Sequence, residues 1–589
     1  VNDSNPRGKA RSLAFVLTIW IATSATESCF AHQAGTRIDP IRQTQNDYIA
    51  SKDERLARLY HFGTQGPGEV FSNHRSHTNR MVPVYIFGTK ARLQDVTGAN
   101  SLYRDAAKLE SLYGVLPPHT LNTEAEYADQ SDLYRVQADA VKRGIKYLFI
   151  LWFDGLDWET TRAAALIKTG IDYHEGKGAG LEFQDYAGAG APQYGYVVTS
   201  PTHDDPAESQ FEVNHQTVAE LGAVLRGGYD ARFAGPTPWQ VGSNTSRGPG
   251  YLRGQAMTKD EYAAVLAADG VAHAYTDSAS SAAEAVTGVK MYNGSINFRD
   301  DGTAVPTLFN QLQDNGWKVG TVTSVPFPHA SPAAMYAHNV SRDDYQDLSR
   351  EMLGLTAITQ ETGKVAPLPG LDVVIGCGWG INASDADLKR QGENVVPGNL
   401  YLTRADLQAI DDRHGGKYVV AHRTPGRSGA PVLDAAAERA AREEKRLFGF
   451  FGTKAGHLPY RTADGDFLPS KGIRGFAERY TPEDLRENPS LADMTRSALK
   501  VLGAREGQPF ALFVEAGDVD FALHDNNLDN AAGAIFDGEA AMRVICQWVE
   551  RNSNWDESLL IVTSDHGHYL VIDDPEGLGE LSRRIRSAN

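Results

Sequence analysis

The sequence predicts an α/β fold: a central, mostly parallel sheet sandwiched by helices. Continuous apolar runs recur along the chain, helical stretches separate them, and acidic or histidine residues follow several runs directly. The runs fall at 147–153, 319–323, 371–375, 510–514 and 559–563. Runs that are apolar at successive positions suit strands buried on both faces, as in parallel sheets. Residues 303–315, 490–502 and 530–550 read as intervening helices. Alternating strands and helices imply a sheet covered on both sides. In such sheets the chemistry gathers at the carboxyl ends of the strands, where Asp154, Glu515, Asp565 and His566 fall.

The 589 residues are 41% apolar and 22% charged, which excludes a mainly disordered, collagenous or coiled-coil chain. A formal charge of −18 repels nucleic-acid backbone and anionic membrane over most of the surface, so no nucleic-acid specificity is expected. An anionic ligand would need local cations, and metal ions are the obvious ones. Three cysteines are too few for a disulfide scaffold.

Arg7, Lys9 and Arg11 precede an apolar run at 13–22 and then small residues. Residues 1–31 therefore read as a secretory signal, cleaved after Ala25 or Ala31, which predicts a secreted or periplasmic protein. No other apolar stretch is long enough to span a membrane. Cleavage would leave Cys377 and Cys546, between which a bridge is open. Residues 32–140 are polar and helix-leaning, with amphipathic pieces at 56–60 and 133–138, and read as an N-terminal helical extension. Residues 141–589 read as the catalytic domain, with an insertion over about 160–265 that is rich in Gly, Pro and polar residues at 184–206 and 230–252.

Four segments carry candidate chemistry. Asp154-Gly155 ends the first buried run; such an Asp also caps helices and forms turns. Ser278 opens an Ala-rich helix, whose positive end attracts anions, although an ordinary N-cap serine has the same signature. Asp520 and His524 lie four apart after the 510–514 run and share one helical face, as metal ligands do. Asp565-His566-Gly567-His568 follows the last run; carboxylate and imidazole suit a divalent metal if Gly567 breaks the strand.

Taken in order, these segments resemble the alkaline phosphatase family. Thr276-Asp277-Ser278-Ala279 with residues 287–294 is similar to its nucleophile segment. Residues 329–334, 336–338 and 340–343 resemble its magnesium and phosphate-clamp segment. Residues 513–517 with Asp520 and His524, and residues 563–568, resemble its remaining metal segments. The resemblance runs from 147 to about 570 and implies an alkaline-phosphatase-like fold. It implies hydrolysis of phosphate monoesters through a phosphoserine at Ser278, with two zinc ions and one magnesium ion. Asp154, Asp565 and His566 would hold one zinc, and Asp520 and His524 the other. Asp154, Ser331 and Glu515 would hold magnesium, with His329 outside them. Arg342 would clamp phosphate with its planar fork; pairing with Asp343 or Asp344 is the bland alternative. His568 reads as a partner of a ligand. A homodimer is compatible with the family.

Two departures stand out. The family has a further histidine about forty residues after the Asp-His pair, and this sequence has only His568 there. His203, His215, His422 and His457 are alternative sources of that ligand, and a weak or absent second zinc site is the remaining option. Phe521 stands where the family often has a basic residue or histidine. A phosphodiesterase of the same superfamily and a non-catalytic phosphate or metal binder are the competing expectations.

Overall fold

The computed structural model describes residues 39–51, 59–62, 77–79, 81–203, 211–218, 227–229 and 275–588. The signal segment, residues 230–252 and most of the 56–60 helical piece lie outside them. Residues 39–589 form one compact unit.

Its centre is a ten-stranded sheet. From one edge the strands are Tyr418–His422, Arg446–Phe450, Val373–Cys377, Lys318–Pro326, Phe510–Ala516, Tyr147–Phe153, Ser558–Thr563, Val82–Phe87, Gln193–Val198 and Ala128–Asp129. The first seven are parallel, and Val82–Phe87 pairs antiparallel with both of its neighbours. Ala128–Asp129 pairs parallel with Gln193–Val198, so nine of these strands share one direction.

The continuous apolar runs have a simple cause. Phe149, Leu151 and Phe153 enter one hydrophobic core, while Leu148, Ile150 and Trp152 enter the other. Helices Trp158–Thr169, Gly429–Arg442, Leu491–Leu502 and Leu528–Asn552 cover the first face. Helices Asp132–Lys142, Ser278–Thr287 and Leu308–Asp314 cover the second. Each fully buried large side chain adds roughly 1.5–3 kcal/mol.

The extension and the insertion are not merely appended. Residues 32–140 were expected to be helical, and Asp132–Lys142 is a helix, but Val82–Phe87 is buried in the central sheet. The insertion supplies Gln193–Val198. Cys377 and Cys546 are both buried and free, so the bridge left open by the sequence is not formed. Among the described residues no helix is long and apolar enough to cross a membrane.

Strand direction positions the site. Ligands that follow parallel strands collect at one edge of the sheet. An antiparallel strand starts at that edge, so residues just before Val82 arrive there too. His77–Thr78 is held by a two-residue antiparallel pairing with Gly567–His568.

Candidate active site and metal centres

Ser278 opens the helix Ser278–Thr287 and is 3% exposed. Asp277 caps that helix: its Oδ1 accepts from the Ser280 amide and hydroxyl, both at 2.9 Å. The Ser278 hydroxyl lies 3.2 Å from His566 Nε2. A buried helix mouth with a reactive hydroxyl is a ready anion site.

His566 connects this serine to two carboxylates. Its Nε2 is 3.3 Å from Asp565 Oδ2 and 3.5 Å from Asp154 Oδ1. Asp565 Oδ1 accepts from the backbone amides of Gly155 and His566 at 2.9 Å each and from the Ser564 hydroxyl at 3.0 Å. That fixes the carboxylate and leaves Asp565 Oδ2, like Asp154 Oδ1, buried without a hydrogen-bond partner. Burial pushes the Asp154 carboxyl well above its ordinary range, and Asp565, Asp520 and Glu515 push it further. Glu515 rises to about 8, chiefly through burial, with the Thr323 hydroxyl opposing and Asp565 reinforcing the shift.

A second group lies beside the first. Asp520 Oδ1 is 3.4 Å from His524 Nε2, 3.7 Å from His77 Nε2 and 2.8 Å from His568 Nε2. His77 Nδ1 is 3.0 Å from the Thr276 carbonyl, and the Asn79 side-chain oxygen accepts from the Thr276 amide at 3.0 Å. The same short segment therefore braces the loop that leads into Ser278. Burial drives the His77 pKa far down, and the neighbouring His566 and His524 add to it. The Asp520 carboxyl falls well below the usual range: burial opposes this, but His524, His568 and His77 outweigh it.

The donor atoms fit divalent ions. Ligand atoms around a tetrahedral zinc, with bonds near 2.0–2.1 Å, stand roughly 3.3 Å apart. The pairs His566–Asp565, His566–Asp154, His524–Asp520 and His77–Asp520 span 3.3–3.7 Å. His568–Asp520, at 2.8 Å, and His77–His524, at 2.9 Å, have the length of hydrogen bonds instead, so the two imidazoles must part by a few tenths of an ångström to share an ion. Two groups with mutually close donors emerge: His77, Asp520, His524 and His568, and Asp154, Asp520 and His566.

Arg342 Nη1 donates to Asp277 Oδ2 at 2.9 Å, and its backbone amide donates to the Gly294 carbonyl at 2.7 Å. Its partner is thus the residue before Ser278, not Asp343 or Asp344. Ser331 is buried in the short helix Ala330–Ala334, and its hydroxyl helps to lower the Glu515 pKa. His329 packs among Tyr345, Tyr401 and Phe521, with ring centroids 5.5–5.8 Å away.

The sequence reading missed His77. The four suggested substitutes are committed elsewhere. His203 pairs with Asp300, His215 faces Glu212, His422 stacks on Trp379, and His457 lies between Glu478 and Asp518. The available signal was His77-Thr78-Asn79 just before the apolar Val82–Phe87 run, a ligand preceding a strand.

The family model described as alkaline phosphatase matches residues 253–579. That stretch includes Ser278, Arg342 and the metal-type residues from 515 to 568, but neither Asp154 nor His77. The chain is 28% identical over 306 residues to an alkaline phosphatase of Escherichia coli, covering 51% of this chain and 60% of that protein. It is 29% identical over 315 residues to a streptomycin-6-phosphate phosphatase of Streptomyces griseus, with 50% and 62% covered. Alkaline phosphatase 3 of Bacillus subtilis is 26% identical over 305 residues, with 50% of each covered. The chain thus spans about half to three-fifths of the length of these relatives. A crystal structure of Thermus thermophilus alkaline phosphatase aligns with 72% of this chain and 60% of its own, at 20% identity and a TM-score of 0.39.

Proposed function

The chain belongs to the alkaline phosphatase family, and on that footing we propose that it hydrolyses phosphate monoesters through a phosphoserine at Ser278. The observation that carries this reading is the Ser278 hydroxyl at a buried helix mouth, 3.2 Å from His566 and beside carboxylates with unpartnered oxygens.

In the first half-reaction Ser278 Oγ bonds to phosphorus, the bond to the ester oxygen breaks, and the alcohol leaves with a proton. In the second, a water oxygen bonds to phosphorus, the Oγ–P bond breaks, and Ser278 regains its proton as phosphate departs. Asp154, Asp565 and His566 would hold one ion, and Asp520, His524 and His77 a second. Asp154, Ser331 and Glu515 would hold a third. Mixed imidazole and carboxylate donors suit zinc, and oxygen-only donors suit magnesium. Such ions, when bound, supply positive charge and Lewis acidity toward phosphate oxygens.

The chain's own residues do the rest. Asp277 holds one corner of the Arg342 fork at 2.9 Å, which leaves its other N–H groups for two phosphate oxygens. A monoester has three non-bridging oxygens and a diester two, so a fork that takes two of them leaves one for bound ions only in a monoester, which favours that class. His568 fixes the Asp520 carboxylate through a hydrogen bond of 2.8 Å. His77, beside Asp520 and His524, is the candidate for the ligand the sequence lacked, and this supports a complete site over a non-catalytic binder. A secreted or periplasmic location belongs to the same proposal and rests on the basic-then-apolar segment at 7–22.

The experiment is turnover of p-nitrophenyl phosphate by metal-replete protein, with trapping of labelled phosphate on Ser278. A protein that neither releases product nor acquires label would falsify the proposal.

A further inference from the structure

A cavity of about 770 Å³ opens beside Asp520 and His524. It belongs to neither the serine nor the Arg342 side of the site. Volumes of this order hold small organic groups. Its inner wall is aromatic: Tyr460 is 4% exposed, and Phe521 stands 5.7 Å from the His457 ring and 5.7 Å from the His329 ring. Phe521 thus lies between the His329 and His457 rings on the wall of the cavity. Its outer part carries Lys454, Arg474 and Arg479, all exposed.

The carboxylates of this wall are already committed. Glu478 accepts from Tyr480 at 2.7 Å and pairs with His457 at 3.1 Å. Asp525 pairs with Arg474 at 2.9 Å, and Asp484 with Arg423 at 2.9 Å. Among the described residues Lys454 and Arg479 have no ion-pair partner. Both stand on one cavity, in a chain whose formal charge is −18. They attract an anion, while the inner wall offers ring faces to an apolar or aromatic body.

We infer that this cavity receives the leaving group, and that the preferred substrates are phosphate monoesters of ring-bearing alcohols or phenols with a second anionic group on the far side of the ring. This inference rests on the phosphomonoesterase reading: in-line displacement puts the leaving oxygen opposite Ser278 Oγ, which stands 3.2 Å from His566, and so toward Asp520 and His524. The ring lies against Phe521 and Tyr460, and the second anion meets Lys454 and Arg479.

The test compares phenyl phosphate with 4-carboxyphenyl phosphate in the full chain and in a Lys454→Gln, Arg479→Gln double variant. Neither residue belongs to the catalytic machinery. The intrinsic difference between the two leaving groups cancels when the ratio of their kcat/KM values is compared across proteins. That ratio should fall about tenfold in the variant, as two partly exposed ion pairs allow, with phenyl phosphate turnover nearly unchanged. An unchanged ratio overturns the inference. Binding of 4-hydroxybenzoate, followed by saturation-transfer NMR, gives a readout independent of turnover. If the wild type hydrolyses neither ester, the phosphatase reading fails. Binding that is present in the wild type and lost in the variant would then still uphold the cavity assignment, and absent binding would sink it.

Discussion

His77 and His524 face each other with their Nε2 atoms 2.9 Å apart, across 447 residues of sequence. Two imidazoles that meet nitrogen to nitrogen share at most one proton, and burial disfavours charging His77. Asp520 stands beside both, so a divalent cation satisfies all three groups at once. Replacing His77 by Ala should lower bound metal by about one ion per chain after dialysis against a weak chelator. Elemental analysis measures this, with far-UV circular dichroism as a control for folding. Unchanged metal content in a folded variant would remove His77 from the site. His568→Ala should weaken the same ion by about 10–100-fold, as loss of a hydrogen bond to a ligand does.

Ser278→Ala should reduce turnover by roughly a thousandfold or more, because the neighbouring Ser280 and Ser281 hydroxyls are tied to Asp277 and to the Asp565 carbonyl, whereas Ser278 reaches His566. Label from phosphate should no longer be trapped on the chain. Normal trapping in the variant would place the nucleophile elsewhere.

Arg342→Ala should raise KM for a monoester and Ki for inorganic phosphate by about tenfold or more. Asp277→Asn keeps the cap oxygen but weakens the ion pair of 2.9 Å, and should shift the same constants less. Steady-state kinetics at fixed metal separates the two. Equal effects would mean that Asp277 does more than orient the guanidinium.

Gly155 adopts φ +80, and a Cβ there would come within 2.8 Å of the His568 ring and 3.3 Å of the Asp520 Cα. Gly155→Ala therefore strains the backbone and crowds both metal groups. The expected cost is about 1–3 kcal/mol in urea unfolding, with weaker metal retention. A variant as stable and as metal-rich as the wild type would show that the loop yields easily.

Burial lowers the affinity of His457 for a proton, but its hydrogen bond to Glu478 and the nearby Asp518 outweigh this and raise its pKa to about 9. A raised folded-state value means that the stabilisation is complete below the unfolded value near 6.5 and is lost as pH rises through 9. Urea midpoints should therefore fall between pH 6.5 and 9 in the wild type and fall less in His457→Gln. Parallel pH profiles for the two proteins would remove His457 as the cause.

The central strands were legible in the sequence because burial on both faces makes every position apolar. The 147–153 run is the observed strand Tyr147–Phe153, and helix 490–502 is observed as Leu491–Leu502. Tyr418–His422 and Arg446–Phe450 escaped notice because His422, Arg446 and Gly449 interrupt their apolar runs. Val82–Phe87 was hidden by Pro83 and by its polar surroundings. Ser278, Asp154, Asp520, His524, Asp565 and His566 were readable because each follows a strand or opens a helix, and the structure draws them together. His77 was not, because its place depends on one strand running against the rest. That is a property of strand pairing at a distance; a histidine just before an apolar run marks a candidate locally, but only the pairing fixes which edge of the sheet it reaches.

That reversed strand also sets when the pocket can be completed. His77 leaves the ribosome long before Gly567 and His568, the residues with which its segment pairs. Until those later residues arrive, the histidine has no partner strand to hold it. Cation capture by the Asp520 group would then follow synthesis of the 567–568 segment, and any nick that frees the Val82–Phe87 strand from the sheet should release the ion before the rest of the fold gives way.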